Sequence, residues 1–107
     1  MSLDVYLVVV KPTEVFSANI THNLSKMAEE AGIYYCLWRP EELNITIAKQ
    51  LINPLRIGLK KMKDNPEKFK AFNPPNGWGT YEHFVPWLEE YINACEAYPE
   101  ANIKVNR

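Results

Sequence analysis

Runs of apolar residues predict three strands along the chain. Residues 4–10, DVYLVVV, are mostly apolar and β-branched at consecutive positions, which is typical of a strand that is central in a sheet and covered on both faces. Residues 33–38, IYYCLW, are rich in aromatic side chains and predict a second strand that ends before Pro40. Near the end of the chain, Ile103 and Val105 alternate with polar residues and predict an edge strand.

Apolar residues at helical spacing predict the helices between these strands. After a loop over 11–18, residues 19–32 carry one apolar stripe and predict a first helix. The segments 40–52 and 53–63 continue such a stripe, and they predict either two helices or one long helix with a kink. A last helix is predicted over 80–97.

The order of elements is therefore predicted as β-α-β-α-α-β in a single domain, residues 1–107. A strand, helix and strand within about 35 residues predict parallel strands joined by a right-handed crossover. The fold class is α/β or α+β, with a sheet of about three strands, the N-terminal strand central and helices packed on both faces. Gly58 weakens a predicted helix by about 1 kcal/mol relative to alanine, which indicates close packing of that helix on another element.

Polar side chains gather where the first two predicted strands end. Parallel strands bring their carboxyl ends to one edge of the sheet, where open α/β sheets bind ligands. Asn19, Thr21, His22 and Asn23 follow the first strand, and Arg39 follows the second. Their amide, hydroxyl, imidazole and guanidinium groups suit a small polar or phosphorylated ligand. The alternative is structural, with capping by Asn19 and Thr21, a solvated His22 and a surface ion pair for Arg39.

Residues 73–87, NPPNGWGTYEHFVPW, form the second candidate region. Two glycines flank Trp78 and permit backbone angles that a β-carbon forbids. Such a turn can present Trp78 outward as a stacking platform, with Tyr81 and Glu82 beside it at the start of the last helix. It can instead turn Trp78 inward to cover the core. In the second case both tryptophans of the segment are core anchors.

The leading hypothesis is a non-enzymatic binding or interaction protein that uses these two regions as one pocket. An alternative is a hydrolase or transferase for a nucleotide-like or sugar-like substrate, in which His22 or His83 acts as the base and Glu82 as its partner. A third hypothesis is an accessory protein that binds protein or nucleic acid through the basic segment 56–70, or a homodimer joined through exposed aromatics or the last strand.

Composition narrows the classes of partner. The net charge of −1 disfavours nucleic acid and anionic membranes, although half of the 12 basic residues lie in segment 56–70. The longest apolar run, residues 5–10, is too short to span a bilayer and lacks the flanks of an export signal, so the expected compartment is the cytoplasm. Cys36 and Cys95 are far apart in the sequence and predict reduced thiols, and the pattern predicts neither a metal site nor a cofactor.

Two stretches, NITHNLSKMAEEAGIYYCLWRPEE at 19–42 and NGWGTYEHFVPW at 76–87, resemble a group of small proteins from phage and prophage regions of bacterial genomes. The resemblance covers nearly the whole chain. It implies a bacterial or viral origin and a cytoplasmic setting, and it assigns no catalytic residue.

Overall fold

The computed structural model of this chain describes residues 2–9 and 13–107. Within these residues the fold is α+β, with one antiparallel sheet and several helices. The strands and α-helices are, in chain order, β1 (Ser2–Val9), β2 (Thr13–Thr21), α1 (Ser25–Glu30), α2 (Tyr34–Trp38), α3 (Lys49–Asp64), α4 (Pro66–Lys70), α5 (Tyr81–Ala97) and β3 (Asn102–Asn106). Short 3-10 turns at His22–Leu24 and Pro40–Leu43 precede α1 and follow α2.

The three strands follow the order β2-β1-β3, so the predictions of a central N-terminal strand and of a last strand at the sheet edge are confirmed. Leu3, Val5 and Leu7 are fully buried, while the residues between them are half-exposed. Helices therefore cover only one face of the sheet, and the prediction of cover on both faces is wrong. An antiparallel sheet tolerates one solvated face, because no crossover helix has to pack there.

The predicted strand at residues 33–38 is also wrong, because this segment forms α2. Tyr34 and Trp38 stack with ring centroids 5.4 Å apart and planes at 9°, a contact that helical spacing of four residues allows. Cys36 and Leu37 are buried beside Trp38. Burial of this face outweighs the β-propensity of the aromatic residues, so the predicted βαβ unit and the predicted order of elements do not occur.

The second strand lies instead at Thr13–Thr21, where a loop and the start of a helix were predicted. Phe16, Ala18 and Ile20 pack on the core, while Ser17 and Asn19 are exposed. This period of two is the signature of a strand with one covered face. β2 is antiparallel to β1, and only the second half of the predicted first helix remains, as α1.

In the helical layer, α3 is one continuous helix with Pro54 inside it. Of the two predicted alternatives, the separate helix start at residue 53 is therefore wrong, and a single helix runs through this position. It packs against α5. Gly58 confirms the predicted close packing, because a β-carbon there would overlap Ile33 Cγ2 and lie 3.2 Å from the carbonyl oxygen of Ala31. The absence of a side chain at Gly58 therefore sets how closely α3 approaches the turn between α1 and α2.

The last helix was placed correctly from the sequence, since α5 spans Tyr81–Ala97. Its Phe84, Leu88 and Tyr91 are fully buried and belong to the core between the sheet and the helices. In the part of the chain that the structure describes, no helix has both the length and the apolar character needed to cross a membrane.

Candidate functional site

The turn before α5 presents Trp78 to solvent. Gly77 and Gly79 adopt φ angles of +74° and +84°, which strain any residue with a β-carbon. The Gly77 amide donates to the carbonyl of Pro74 at 3.1 Å, and the Trp78 amide donates to Asn76 Oδ1 at 3.0 Å. The Trp78 side chain is 70% exposed, so its interpretation as a core anchor is wrong.

This turn is held against the end of β2. A β-carbon on Gly79 would lie 2.6 Å from Thr21 Cγ2 and 3.1 Å from Leu24 Cγ, which leaves no room for a side chain. Asn23 Nδ2 also donates to the carbonyl oxygen of Trp78 at 3.4 Å. The close approach and the hydrogen bond place Trp78 beside the strand that carries Asn19 and Thr21.

A cleft of about 550 Å³ lies between the turn, the adjacent ends of β1 and β2, and α5. Ile20 and Leu24 are nearly fully buried and form its apolar base, and Trp87 is half-buried. The described residues that line the cleft are Ser2, Asn19, Ile20, Thr21, Leu24, Trp78, Gly79, His83 and Trp87. The cleft therefore combines a hydrophobic base and an exposed aromatic ring with a polar edge.

The polar edge offers both hydrogen-bond donors and an acceptor. Asn19 Nδ2 donates to Asp4 Oδ1 at 2.5 Å and to Ser2 Oγ at 2.8 Å, and the acceptor-only carboxylate settles the orientation of the amide. Asn19 Oδ1 has no partner within residues 2–9 and 13–107 and remains an acceptor. Ser2 and Thr21 face each other across the strand pair, and both hydroxyls already accept a hydrogen bond, so each can donate its own hydrogen.

The part of the cleft lining that the structure describes is neither acidic nor basic. None of the nine described lining residues is lysine, arginine, aspartate or glutamate. The one imidazole, His83, has Nδ1 at 3.0 Å from Thr80 Oγ1. A phosphate or carboxylate bound here would lose water without gaining a cationic partner among these nine residues, which is costly in a partly apolar site.

Two of the predicted site residues, His22 and Arg39, lie in a separate depression of about 330 Å³ that Ser25, Tyr34, Trp38 and Arg107 also line. Arg39 Nε donates to Tyr34 Oη at 3.4 Å and its Nη1 lies 3.1 Å from Glu42 Oε2. The crevice predicted between the first strand and residues 33–38 is wrong because this second segment forms the helix α2, and β1 pairs antiparallel with β2 and β3 instead. Asn19, Thr21 and Trp78 nevertheless meet in one cleft, which Asn23 borders.

The other two predicted residues, Tyr81 and Glu82, do not line this cleft. Tyr81 Oη donates to the carbonyl of Met62 at 3.1 Å, and Glu82 Oε1 accepts from Asn73 Nδ2 at 3.1 Å. Successive residues of a helix point about 100° apart, so neighbours of a cleft residue in sequence commonly face elsewhere. Asn73 also accepts the Tyr81 amide at 2.7 Å and thereby caps the start of α5.

His22 instead makes a structural contact, and its loss should measurably lower the free energy of unfolding. The indole Nε1 of Trp38, a residue only 2% exposed, donates to His22 Nδ1 at 2.8 Å. His22→Ala should lower the free energy of unfolding by about 2 kcal/mol, because it leaves a buried donor without its acceptor. In a Trp38→Phe background the same change should cost at least 1 kcal/mol less, roughly the size of couplings within a hydrogen-bonded pair. Chemical denaturation of the unaltered protein, the two single variants and the double variant gives the coupling energy between these residues. Additive changes in the free energy of unfolding would contradict the prediction.

The acid–base pair of the enzymatic alternative does not form in the described part of the chain. His22 Nδ1 contacts Trp38 and His83 Nδ1 contacts Thr80, while Glu82 contacts Asn73 and Lys70. Neither imidazole is hydrogen-bonded to a carboxylate there. The described part of the chain also contains no group of three or more metal-ligating side chains placed to hold an ion.

Most of the basic segment is neutralised by neighbouring carboxylates. Five of its six cationic side chains form ion pairs, and they are Arg56 with Glu96, Lys60 with Asp64, Lys63 with Glu89, Lys68 with Glu30, and Lys70 with Glu82. These exposed pairs contribute little to stability, but they reduce the positive field that a phosphate backbone would meet.

Several residues of the cleft were missed because β2 was not recognised. The alternation from Phe16 to Thr21 predicts a strand, and an antiparallel pairing with β1 would have placed Ser2 opposite Thr21. A second signal was available in α5. His83 and Trp87 are four residues apart and therefore share one helix face.

None of the family models, curated proteins or solved structures compared with this chain matches it. The resemblance to phage and prophage proteins therefore stays a prediction, and the function has to be argued from the cleft itself.

Proposed function

We propose that this protein is a binding protein for a small, uncharged polar ligand, which it holds in the cleft beside Trp78. The observation that carries the proposal is the 70% exposure of Trp78 next to an apolar base formed by Ile20 and Leu24. Covering an exposed indole face releases water at about 25 cal/mol per Å² of apolar surface. A turn built on two glycines with positive φ that holds this ring in solvent therefore favours a role in recognition.

The remaining features of the cleft support a ligand of modest size. Its volume of about 550 Å³ suits a small molecule. Free hydrogen-bonding capacity on Ser2, Asn19 and Thr21 would orient the polar part of such a ligand. The guanidinium of Arg39, expected as an anion contact, lines a different depression, so the proposal concerns an uncharged ligand rather than a phosphorylated one.

Replacing Trp78 with alanine should weaken ligand binding by at least about tenfold, which corresponds to about 1.4 kcal/mol of lost contact. The measurement is a titration of ¹⁵N-labelled protein with pools of neutral sugars, nucleosides and amino acids, followed at the amides of Gly77, Gly79 and Thr80. A compound that binds the cleft should shift these resonances and saturate.

Tyr35→Ala is the matched control, since Tyr35 is an aromatic residue 50% exposed on α2 and outside the cleft. It should leave the affinity unchanged. The proposal is overturned if no pool shifts these amides, or if Trp78→Ala and Tyr35→Ala bind the same compound as tightly as the unaltered protein.

A further inference from the structure

The hydrogen-bonding groups of the cleft match those of hydroxyls on a saturated ring. Each sugar hydroxyl both donates and accepts, and it is best held where donors and acceptors lie side by side. The hydroxyls of Ser2 and Thr21 can donate, and Asn19 Oδ1 in the same polar edge can accept. All three groups lie at one end of the open sheet face, so neighbouring hydroxyls of one ring can reach them together.

The aromatic surface of the cleft has one available face rather than a slot. No aromatic pair in the described part of the chain includes Trp78, whereas Trp87 is engaged by Phe84 at 6.1 Å and by Tyr91 at 5.7 Å between ring centroids. A flat nucleobase gains most when both of its faces are covered. A pyranose has polarised C–H groups on its ring faces, which pack on the electron-rich face of a single indole, while its hydroxyls project from the rim.

The electrostatic environment also favours a neutral ring. Asp4 lies directly behind Asn19, with its Oδ1 at 2.5 Å from Asn19 Nδ2. Its negative charge repels an anionic group placed at the polar edge, and no lining residue among those described carries a compensating positive side chain.

On the basis of the proposed function, we infer that the ligand is a neutral carbohydrate unit. One face of its ring packs on Trp78, and its hydroxyls bond to Ser2, Asn19 and Thr21. This assignment narrows the ligand class, and it can fail while the binding cleft itself stands.

The first test compares compounds by the same amide titration. Methyl glucoside, methyl galactoside, methyl mannoside and N-acetylglucosamine are compared with adenosine, uridine and glucose 6-phosphate. At least one neutral sugar should bind saturably, nucleosides should bind at least about tenfold more weakly, and glucose 6-phosphate should bind no more tightly than methyl glucoside.

The second test removes the hydroxyls of the polar edge. Ser2→Ala and Thr21→Val should each weaken sugar binding by about five- to tenfold, roughly one hydrogen bond to a neutral group. Ser17→Ala is the matched control, since Ser17 is an exposed hydroxyl residue on β2 that does not line the cleft. The amide spectrum of each variant shows whether it is folded, and having two variants keeps the test decisive if one of them does not fold.

The possible failures are distinguishable. If nucleosides or amino acids bind at Gly77 and Gly79 while sugars do not, the carbohydrate assignment is overturned and the binding cleft stands. Tighter binding of the phosphorylated sugar, or unchanged sugar affinity in both Ser2→Ala and Thr21→Val, also overturns the assignment. If no compound binds, the proposed function falls together with it.

Discussion

Gly58→Ala is expected to lower the free energy of unfolding by about 3 kcal/mol, the upper part of the range for overpacked cores. Helix propensity alone predicts the opposite, a gain of about 1 kcal/mol. Packing outweighs propensity here because the new methyl group would overlap Ile33 Cγ2, and Ile33 is only 1% exposed. The carbonyl oxygen of Ala31 lies 3.2 Å from the same β-carbon position, so the new methyl group cannot avoid Ile33 by moving toward Ala31.

Chemical denaturation of three further proteins, Ile57→Ala, Ile33→Ala and the Ile33→Ala/Gly58→Ala double variant, makes this prediction specific. Ile57→Ala, at a neighbouring position of α3 that is 70% exposed, should change stability by no more than about 0.5 kcal/mol. In an Ile33→Ala background, Gly58→Ala should cost at least about 1 kcal/mol less, because the clashing methyl group is gone. A stabilised Gly58→Ala protein would show that α3 does not approach the turn between α1 and α2 this closely.

The second large effect is a loss of stability at alkaline pH. Burial raises the pKa of the Cys95 thiol to about 12, and it also raises the pKa of the Cys36 thiol. Burial is likewise the main cause of the raised pKa of the Tyr91 phenol, to which the nearby Cys95 and Cys36 add. All three groups are neutral when protonated, and the folded interior disfavours their anions.

The direction of the effect follows from which state releases its protons first. Below about pH 8.5 the thiols are protonated in both states, and the stabilisation is fully present. Above that pH the unfolded chain ionises while the folded protein does not, so the free energy of unfolding falls by about 1.4 kcal/mol per pH unit for each such group. The contribution of Cys95 is lost between about pH 8.5 in the unfolded chain and about 12 in the folded protein.

Urea denaturation at a series of pH values measures this slope. Cys95→Ala should reduce the slope above about pH 9, and Tyr91→Phe should reduce it above about pH 10, where an unfolded tyrosine begins to ionise. Tyr98→Phe is the control, since Tyr98 is 42% exposed and its phenol meets water in the folded state as well. Equal slopes in the unaltered protein and in both core variants would show that these groups do not titrate differently on unfolding.

The elements that the sequence predicted correctly carry strong local signals. The apolar run of β1, the alternation of β3 and the long apolar stripe of α5 each keep one pattern over their whole length. The two segments whose secondary structure was predicted wrongly carry weak or mixed signals. Residues 33–38 combine β-prone aromatics with apolar residues at helical spacing, and Thr13–Thr21 mixes polar and apolar residues over a range that overlaps the stripe assigned to the first helix.

The same distinction between local and long-range signals applies to the predictions of the candidate site. Two glycines beside Trp78 predicted backbone angles that a β-carbon forbids, and a local property of glycine was sufficient for that prediction. The same glycines left open whether Trp78 faces solvent or the core, and the structure shows it exposed. The crevice that was to unite Asn19 with Arg39 depended on the pairing of strands far apart in sequence, and that pairing was wrong. Asn19 meets Trp78 for another reason, which is the contact between Gly79 and the residues after β2.

The sequence by itself determined a central first strand, an edge strand, the last helix, a close approach at Gly58 and a glycine turn around Trp78. Each of these depends on neighbouring residues and on the intrinsic conformational preferences of the backbone. Only the tertiary structure decided that Tyr34–Trp38 form a helix, that β2 runs antiparallel to β1, that Trp78 faces solvent, and that Ser2, Thr21 and Trp78 line one cleft. These outcomes depend on which apolar faces bury each other across the whole chain, a choice that local preferences of a few tenths of a kcal/mol per residue do not make.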